Sequence, residues 1–161
     1  MIGLLIAVII FNFAAFKTNK NLTGNLIVHI WSFTVAFQVI FDVLIEFKYH
    51  GYWYFEKEID WRGLIPHMLL IPPVNMLFLN WFPFKSSGWK KLMYLFLWVI
   101  AILIYEWIAL LPEPWGYFHY GWWNLMYAVI VDPILFLILL GYYKWVYKLE
   151  KKAVHLAEGN Q

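Results

Sequence analysis

The stretch from Leu26 to Phe47 reads LIVHIWSFTVAFQVIFDVLIEF, and Gln38, Asp42 and Glu46 recur in it at intervals of four. In an α-helix this interval places the three side chains on one stripe, one turn above another. The rest of the stretch is apolar and long enough to span a bilayer, where a carboxylate facing lipid would cost several kcal/mol. We therefore predict a membrane-spanning helix whose polar stripe faces protein.

The composition of the whole chain supports this prediction. Of its 161 residues, 63% are hydrophobic, 22% are aromatic and 14% are charged, whereas soluble proteins average about a quarter charged residues. A chain this short cannot bury so much apolar surface in a water-soluble core. The absence of cysteine excludes disulfides and thiolate metal ligands.

Four further apolar runs flank this stretch, so we predict an all-α fold: a polytopic membrane bundle of five transmembrane helices in a single domain, residues 1–161. The first run has no preceding basic residue, as a secretory signal would have, and is expected to remain as a helix. Pro72 and Pro73 remove backbone donors, so the third helix is expected to kink or break near its middle. The predicted helices cover residues 1–16, 26–47, 63–82, 92–111 and 122–143, and a polar tail covers 144–161.

The basic residues are distributed unevenly among the connecting segments. Those after the first, third and fifth runs contain Lys17, Lys20, Lys85, Lys90, Lys91, Lys144, Lys148, Lys151 and Lys152. The other two segments contain only Lys48, Lys57 and Arg62. The positive-inside rule then predicts an external amino terminus and a cytoplasmic carboxy terminus.

In this orientation the acidic residues of the spans fall in the outer half or at the centre of the bilayer. No span offers a lysine or arginine to neutralise them, so the carboxyl groups must stay protonated, share protons or hold a cation. We predict an outward-facing pocket that binds a proton, a cation or a small polar ligand. Its predicted site residues are Asp42, Glu46, His67, Glu106, His119 and Asp132, and the supporting polar residues are Gln38, Asn75 and Arg62.

Several of these residues have a second interpretation. Arg62 is expected to dip inward and pair. His119, in the aromatic turn at residues 112–121, either hangs over the pocket or lies at the membrane interface beside Tyr120. Asn75 and Asn80 are expected to satisfy the backbone groups freed by Pro72 and Pro73. Glu46 could simply be exposed to water near the membrane interface, and Asp132 could stabilise the local helix geometry beside Pro133. All of these residues could instead form hydrogen bonds that hold the helices together.

Five short motifs occur in the loop after the second run and beyond it: YWYFE at residues 52–56, IPH at 65–67, NWFP at 80–83, YEWI at 105–108 and GYFHYGWW at 116–123. Together they resemble a family of small multi-pass membrane proteins of endospore-forming Firmicutes. The resemblance runs from about Tyr52 to Tyr143 and leaves Asp42 and Glu46 outside it. It implies a multi-pass protein of the bacterial cytoplasmic membrane, but no activity and no site roles.

Three functional hypotheses follow, and the first is transport or sensing of a proton, cation or small polar molecule through the pocket. The second is a structural or accessory subunit of a membrane complex, with a second copy or another membrane protein as partner. The third is acid/base or metal-dependent catalysis by Asp42, His67 and Glu106. Cysteine nucleophiles and phosphate-binding loops are absent, so an enzyme is the least favoured hypothesis. The bilayer is the expected environment, no nucleic-acid partner is expected, and neither a cofactor nor a metal is assigned.

Overall fold

A computed structural model describes residues 1–58 and 60–158 of the chain, without the side chains of residues 42, 43, 157 and 158. The fold is all-α, with 75% of the residues in helices. Two three-residue strands, β1 (Tyr52–Tyr54) and β2 (Phe118–Tyr120), connect the helices at one end. The five α-helices are α1 (Ile2–Thr18), α2 (Gly24–Asp42), α3 (Ile71–Trp81), α4 (Gly88–Ala109) and α5 (Leu125–Glu158).

All five predicted runs are helical, and four helical segments are long and apolar enough to cross a membrane. These segments are Gly24–Lys48, Trp61–Trp81, Gly88–Ala109 and Leu125–Leu156. The first helix is apolar but shorter, with 17 residues. The predicted polar tail differs from the structure, because α5 continues through it to Glu158. Lysine, leucine, glutamate and alanine are frequent in this part of the chain and are strong helix formers.

The third helix is interrupted where the prolines predict. A π-helical turn, Pro66–Leu70, ends directly before α3, and Pro72 and Pro73 occupy the first turn of α3. Proline is tolerated in a first turn because the amide hydrogens there have no helical partner. The carbonyls one turn earlier, those of Met68 and Leu69, lose their donors.

Side chains from two other helices donate to these carbonyls. Trp31 Nε1 of α2 donates to the Met68 carbonyl at 3.0 Å, and Asn12 Nδ2 of α1 donates to the Leu69 carbonyl at 2.7 Å. The expectation that Asn75 and Asn80 fill this role is therefore wrong. Asn75 donates to the Thr34 hydroxyl instead, at 2.9 Å.

The basic segments meet at one end of the bundle, which we call the basic end. Asn80, at the end of α3, accepts from the amides of Lys20 and Asn21 in the α1–α2 link. Thr23 of the same link donates to Glu150 of α5 at 2.8 Å. The rings of Phe84, after α3, and Tyr143 of α5 stack at 5.1 Å. The three lysine-bearing segments are therefore neighbours.

The basic end also contains the larger apolar core. Phe78 is completely buried at its centre and stacks on Phe136 at 4.2 Å. The Tyr94 hydroxyl donates to the Phe78 carbonyl at 2.8 Å, so α4 is attached to α3 by a hydrogen bond as well as by packing. A second, smaller core lies at the opposite end, under the two strands.

The two strands pair into an antiparallel ribbon at the end of the bundle opposite the basic end. Tyr52 lies opposite Tyr120, and Tyr54 lies opposite Phe118. The Gly51 carbonyl accepts from the amides of Gly121 and Trp123, at 2.8 and 2.9 Å. A Cβ atom at Gly121 would collide with the His50 carbonyl, so this close approach requires glycine. The sequence predicted an aromatic turn at residues 112–121, but not its pairing with the loop that contains Tyr52.

Candidate functional site

A cavity of about 230 Å³ lies among α2, α3, α4 and α5, directly beneath the ribbon. Most of its wall is aromatic or aliphatic. The ribbon and the turn that follows it close the cavity with Tyr52, Tyr54, Phe118 and Trp123. The helices contribute the aromatic side chains Phe33, Phe37, Phe41, Tyr105 and Phe136.

Polar side chains from four helices also reach this cavity. Gln38 lies on α2, Glu106 on α4 and Asp132 on α5, and α3 contributes Asn75, which is bonded to Thr34 of α2. Among the described residues that line the cavity, none is lysine, arginine or histidine. Of the residues predicted to share one pocket, Gln38, Asn75, Glu106 and Asp132 line this cavity.

Glu106 is held in place by the ribbon. The Tyr120 hydroxyl of β2 donates to Glu106 Oε1 at 2.5 Å. Burial raises the pKa of Tyr120 well above its usual 10.0, and the hydrogen bond to Glu106 raises it further. The phenol therefore keeps its proton and acts as the donor. This bond fixes the position of one carboxylate oxygen at the cavity wall.

Asp132 is less fully paired. Its Oδ2 atom is buried and, within the described part of the chain, has no hydrogen-bond partner. Asp132 and Glu106 lie close enough for their charges to interact. Two neighbouring carboxylates in a low dielectric repel each other unless a proton or a cation lies between them. A buried polar atom without a partner is uncommon in folded proteins, so it marks a position where a ligand could bind.

A pair of tyrosines completes the wall on the ribbon side. The hydroxyls of Tyr105 and Tyr117 lie 2.9 Å apart and share a hydrogen bond. Burial raises the pKa of Tyr117 well above its usual value of 10.0, so this phenol also stays protonated. The ribbon end thus presents neutral hydroxyl groups beside the acidic pair.

His67 and Glu46 are buried but do not line the cavity. The His67 side chain, 4% exposed, packs edge-on against the Tyr54 ring at 4.9 Å. Glu46, 7% exposed, lies in a π-helical turn, Val43–Lys48, that extends α2. Its Oε1 accepts from the Tyr54 amide at 3.2 Å. Both residues therefore contact Tyr54 of β1 and do not contribute to the cavity wall.

Arg62 and His119 face away from the cavity, so the expectations that they point into it are wrong. Arg62 donates to Glu56 and Asp60 in its own loop, each at 2.6 Å, because these carboxylates are nearer than those of the spans. His119 is exposed and stacks on Trp53 at 5.9 Å. Side chains alternate along a strand, so His119 must face outward where Phe118 and Tyr120 face inward. The side chain of Asp42 lies outside the described residues.

Sequence reasoning missed the tyrosines of the site. Tyr117 and Tyr120 belong to the predicted aromatic turn and Tyr105 to one of the five motifs, and none of the three was assigned to the site, although they hydrogen-bond to Glu106 or to each other. The alternating order Phe118, His119, Tyr120 was the available signal, because a short strand would turn the first and third side chains toward the bundle.

The described residues contain no group of three or more histidine, aspartate and glutamate side chains that could hold a metal ion. Searches against models of protein families, curated proteins and solved structures found no match. The chemistry of the cavity therefore carries the functional argument.

Proposed function

We propose that the protein resides in the bacterial cytoplasmic membrane, spans it five times and binds a cation or small polar molecule in the cavity, for transport or sensing. The proposed orientation has the ribbon outside and the basic end in the cytoplasm. The grouping of the lysine segments at one end of the bundle supports this orientation through the positive-inside rule.

The observation that carries the proposal is the meeting of Gln38, Glu106 and Asp132, from three different helices, at one cavity without a basic residue in its described lining. Ionisable side chains within apolar spans are costly and usually mark pathways or binding sites. Here their cost would be offset by a bound ligand or by protons. The aromatic ribbon above them is suited to restrict entry from the outer side.

The competing interpretation is that these polar groups only hold the helices together. Groups of that kind find partners across the helix interface. Asn80 behaves in this way, because its oxygen accepts from the Lys20 amide of the α1–α2 link and its nitrogen donates to the Thr18 carbonyl at the end of α1. Asp132 differs, since it lines the cavity and its buried oxygen has no hydrogen-bond partner among the described residues.

Single-cysteine variants can test the cavity and the orientation together, because the chain contains no cysteine. Val131 lines the cavity, whereas its neighbour Ile130 is 60% exposed on the outside of the bundle. Intact cells expressing Val131→Cys, Ile130→Cys or Lys90→Cys would be treated with a small membrane-impermeant thiosulfonate reagent.

We expect Val131→Cys to react in intact cells and Ile130→Cys to stay unmodified, because a thiol in lipid does not ionise. Lys90→Cys should react only after lysis, since it lies at the basic end. Reaction of Lys90→Cys in intact cells would reverse the proposed orientation. Modification of Ile130→Cys but not Val131→Cys would show that no accessible cavity exists at this position.

A further inference from the structure

We infer that the cavity binds an organic cation, namely an amine with one ring-sized apolar body whose ammonium group lies against Asp132. This inference rests on the proposed function, because it assigns a ligand class to the same cavity. It follows from the charge, the lining and the size of the cavity.

The charge of the wall selects a cation. Glu106 and Asp132 are close enough to interact electrostatically, and the described lining contains no basic side chain to balance them. A bound monovalent cation would relieve their repulsion, whereas an anion would increase it. A neutral ligand would leave the interaction unchanged.

The two carboxylates are not equally available. Glu106 Oε1 already accepts from the Tyr120 hydroxyl at 2.5 Å. Asp132 Oδ2 is buried and accepts no hydrogen bond from the described residues. An ammonium group supplies the donors that this oxygen lacks. Asp132 is therefore the principal partner of the ligand charge, and Glu106 contributes at longer range.

The aromatic lining favours an organic cation over a metal ion. A hard cation such as Ca²⁺ needs about six to eight oxygen ligands, and the described residues provide no cluster of even three acidic or histidine side chains. Phe37, Phe41 and Trp123 line the cavity instead. Aromatic faces attract ammonium groups through cation–π interactions and also pack against an apolar body.

The size of the cavity limits the ligand. A dry protein cavity of about 150 Å³ can accommodate benzene, and drug-sized ligands occupy pockets of about 300–1,000 Å³. The cavity here, at about 230 Å³, falls between them. A ligand that consists of a single ring and a short amine-bearing chain has a size suited to a cavity of this volume.

Binding can be measured by calorimetry on the full chain in lipid nanodiscs, with empty nanodiscs subtracted to correct for partitioning into lipid. The probes are 2-phenylethylamine, its neutral isostere 2-phenylethanol, the anion phenylacetate, and propylamine, which lacks the ring. The variants are Asp132→Asn and Glu106→Gln. Glu113→Gln is the matched control, because Glu113 is an exposed acid in the turn that precedes β2 and does not line the cavity.

We expect 2-phenylethylamine to bind more tightly than the other three probes. Asp132→Asn should weaken its binding about 30-fold or more, as when one partner of a desolvated charge pair is removed. Glu106→Gln should have a smaller effect, Glu113→Gln should have none, and the affinity for 2-phenylethanol should be the same in all variants. A melting temperature measured for each variant excludes unfolding as the cause of a loss.

Equal affinity for the amine and the alcohol, unaffected by Asp132→Asn, would overturn the assignment of a cation but leave a small-molecule cavity. Equal affinity for the two amines would overturn the ring-sized body alone. A loss of both amine and alcohol binding in a folded Asp132→Asn protein would show that Asp132 shapes the cavity rather than binds the charge. Absence of binding for all four probes, together with an unreactive Val131→Cys, would overturn the proposed function as well.

Discussion

Asn80 and Asn75 lie on the same helix, Asn80 at the basic end and Asn75 deeper in the bundle, at the cavity. Asn80 is 4% exposed, and its side chain accepts two backbone hydrogen bonds and donates a third to the Thr18 carbonyl. Asn75 lies at the cavity, where its amide group donates to the hydroxyl of Thr34. The first asparagine is bonded to fixed backbone, whereas the second is bonded to another side chain beside open space.

This contrast extends to the surroundings of the two residues. The basic end packs around the fully buried Phe78. Hydrogen bonds there join Asn80 to Asn21 of the α1–α2 link and to Thr18 at the end of α1. The ribbon end combines a cavity, two π-helical turns and a buried aspartate oxygen without a partner among the described residues. Irregular helical turns of this kind occur often at functional sites. The basic end is therefore built for stability, and the ribbon end leaves room for a ligand.

The largest effect on stability is expected from Asn80→Ala. The substitution leaves the amides of Lys20 and Asn21 and the Thr18 carbonyl without their partner. An unsatisfied buried group costs about 1–3 kcal/mol, so we expect the free energy of unfolding to fall by roughly 2–4 kcal/mol. Unfolding can be followed by circular dichroism in mixed micelles as the SDS fraction increases.

Asn75→Ala is the matched comparison on the same helix. It removes one hydrogen bond between side chains, and such bonds in membrane proteins contribute on average about 0.6 kcal/mol. Both variants remove the same amide group from α3, so their difference reports the surroundings alone. An Asn75→Ala protein as unstable as Asn80→Ala would mean that side chains at the cavity are held as firmly as those at the basic end.

A smaller effect is expected at the interruption of the third helix, on the ribbon side of Asn75. Trp31→Phe removes the donor to the Met68 carbonyl and should lower the free energy of unfolding by about 1–2 kcal/mol. Pro72→Ala restores an amide that can donate to the same carbonyl, so in this background Trp31→Phe should be nearly neutral. A double-mutant cycle in the same SDS assay measures this coupling.

Asn12→Leu and Pro73→Ala form the equivalent pair at the Leu69 carbonyl. The crossed combination, Asn12→Leu with Pro72→Ala, serves as the control because its members act on different carbonyls. Full additivity in both matched pairs would contradict the assignment of these side chains to the carbonyls freed by proline.

The helices could be predicted from the sequence because their signal is local. Apolar runs of membrane length, and the two prolines in the third run, depend only on neighbouring residues, and all five runs are helical in the structure. The meeting of Glu106 and Asp132 at one cavity was also predictable, since both are carboxylates in apolar helices and no predicted span contains a lysine or arginine to neutralise them. Membrane insertion and orientation stay predictions.

The rest of the site depends on contacts between distant parts of the chain. The pairing of Tyr52 with Tyr120 joins two loops, and no local pattern specifies that partner. The same is true of Trp31 and Asn12, which reach the freed carbonyls from other helices. Arg62 shows the opposite error, because its local partners, Glu56 and Asp60, were overlooked in favour of a distant one.

That local pair gives the smallest expected effect and tests the surface of the ribbon end. Hydrogen bonds from Arg62 lower the pKa of Asp60 below its usual 3.8, so any stabilisation is present above pH 3.8 and is lost as the pH falls through the lower, folded-state value. The two residues are close in sequence and can pair in the unfolded chain as well, and surface ion pairs contribute little. We therefore expect Arg62→Gln and wild type to have nearly equal melting temperatures from pH 5 to 8, on the order of one degree apart. A large difference that disappears in acid would show that this loop braces the ribbon, and hence the cavity, more strongly than its local contacts imply.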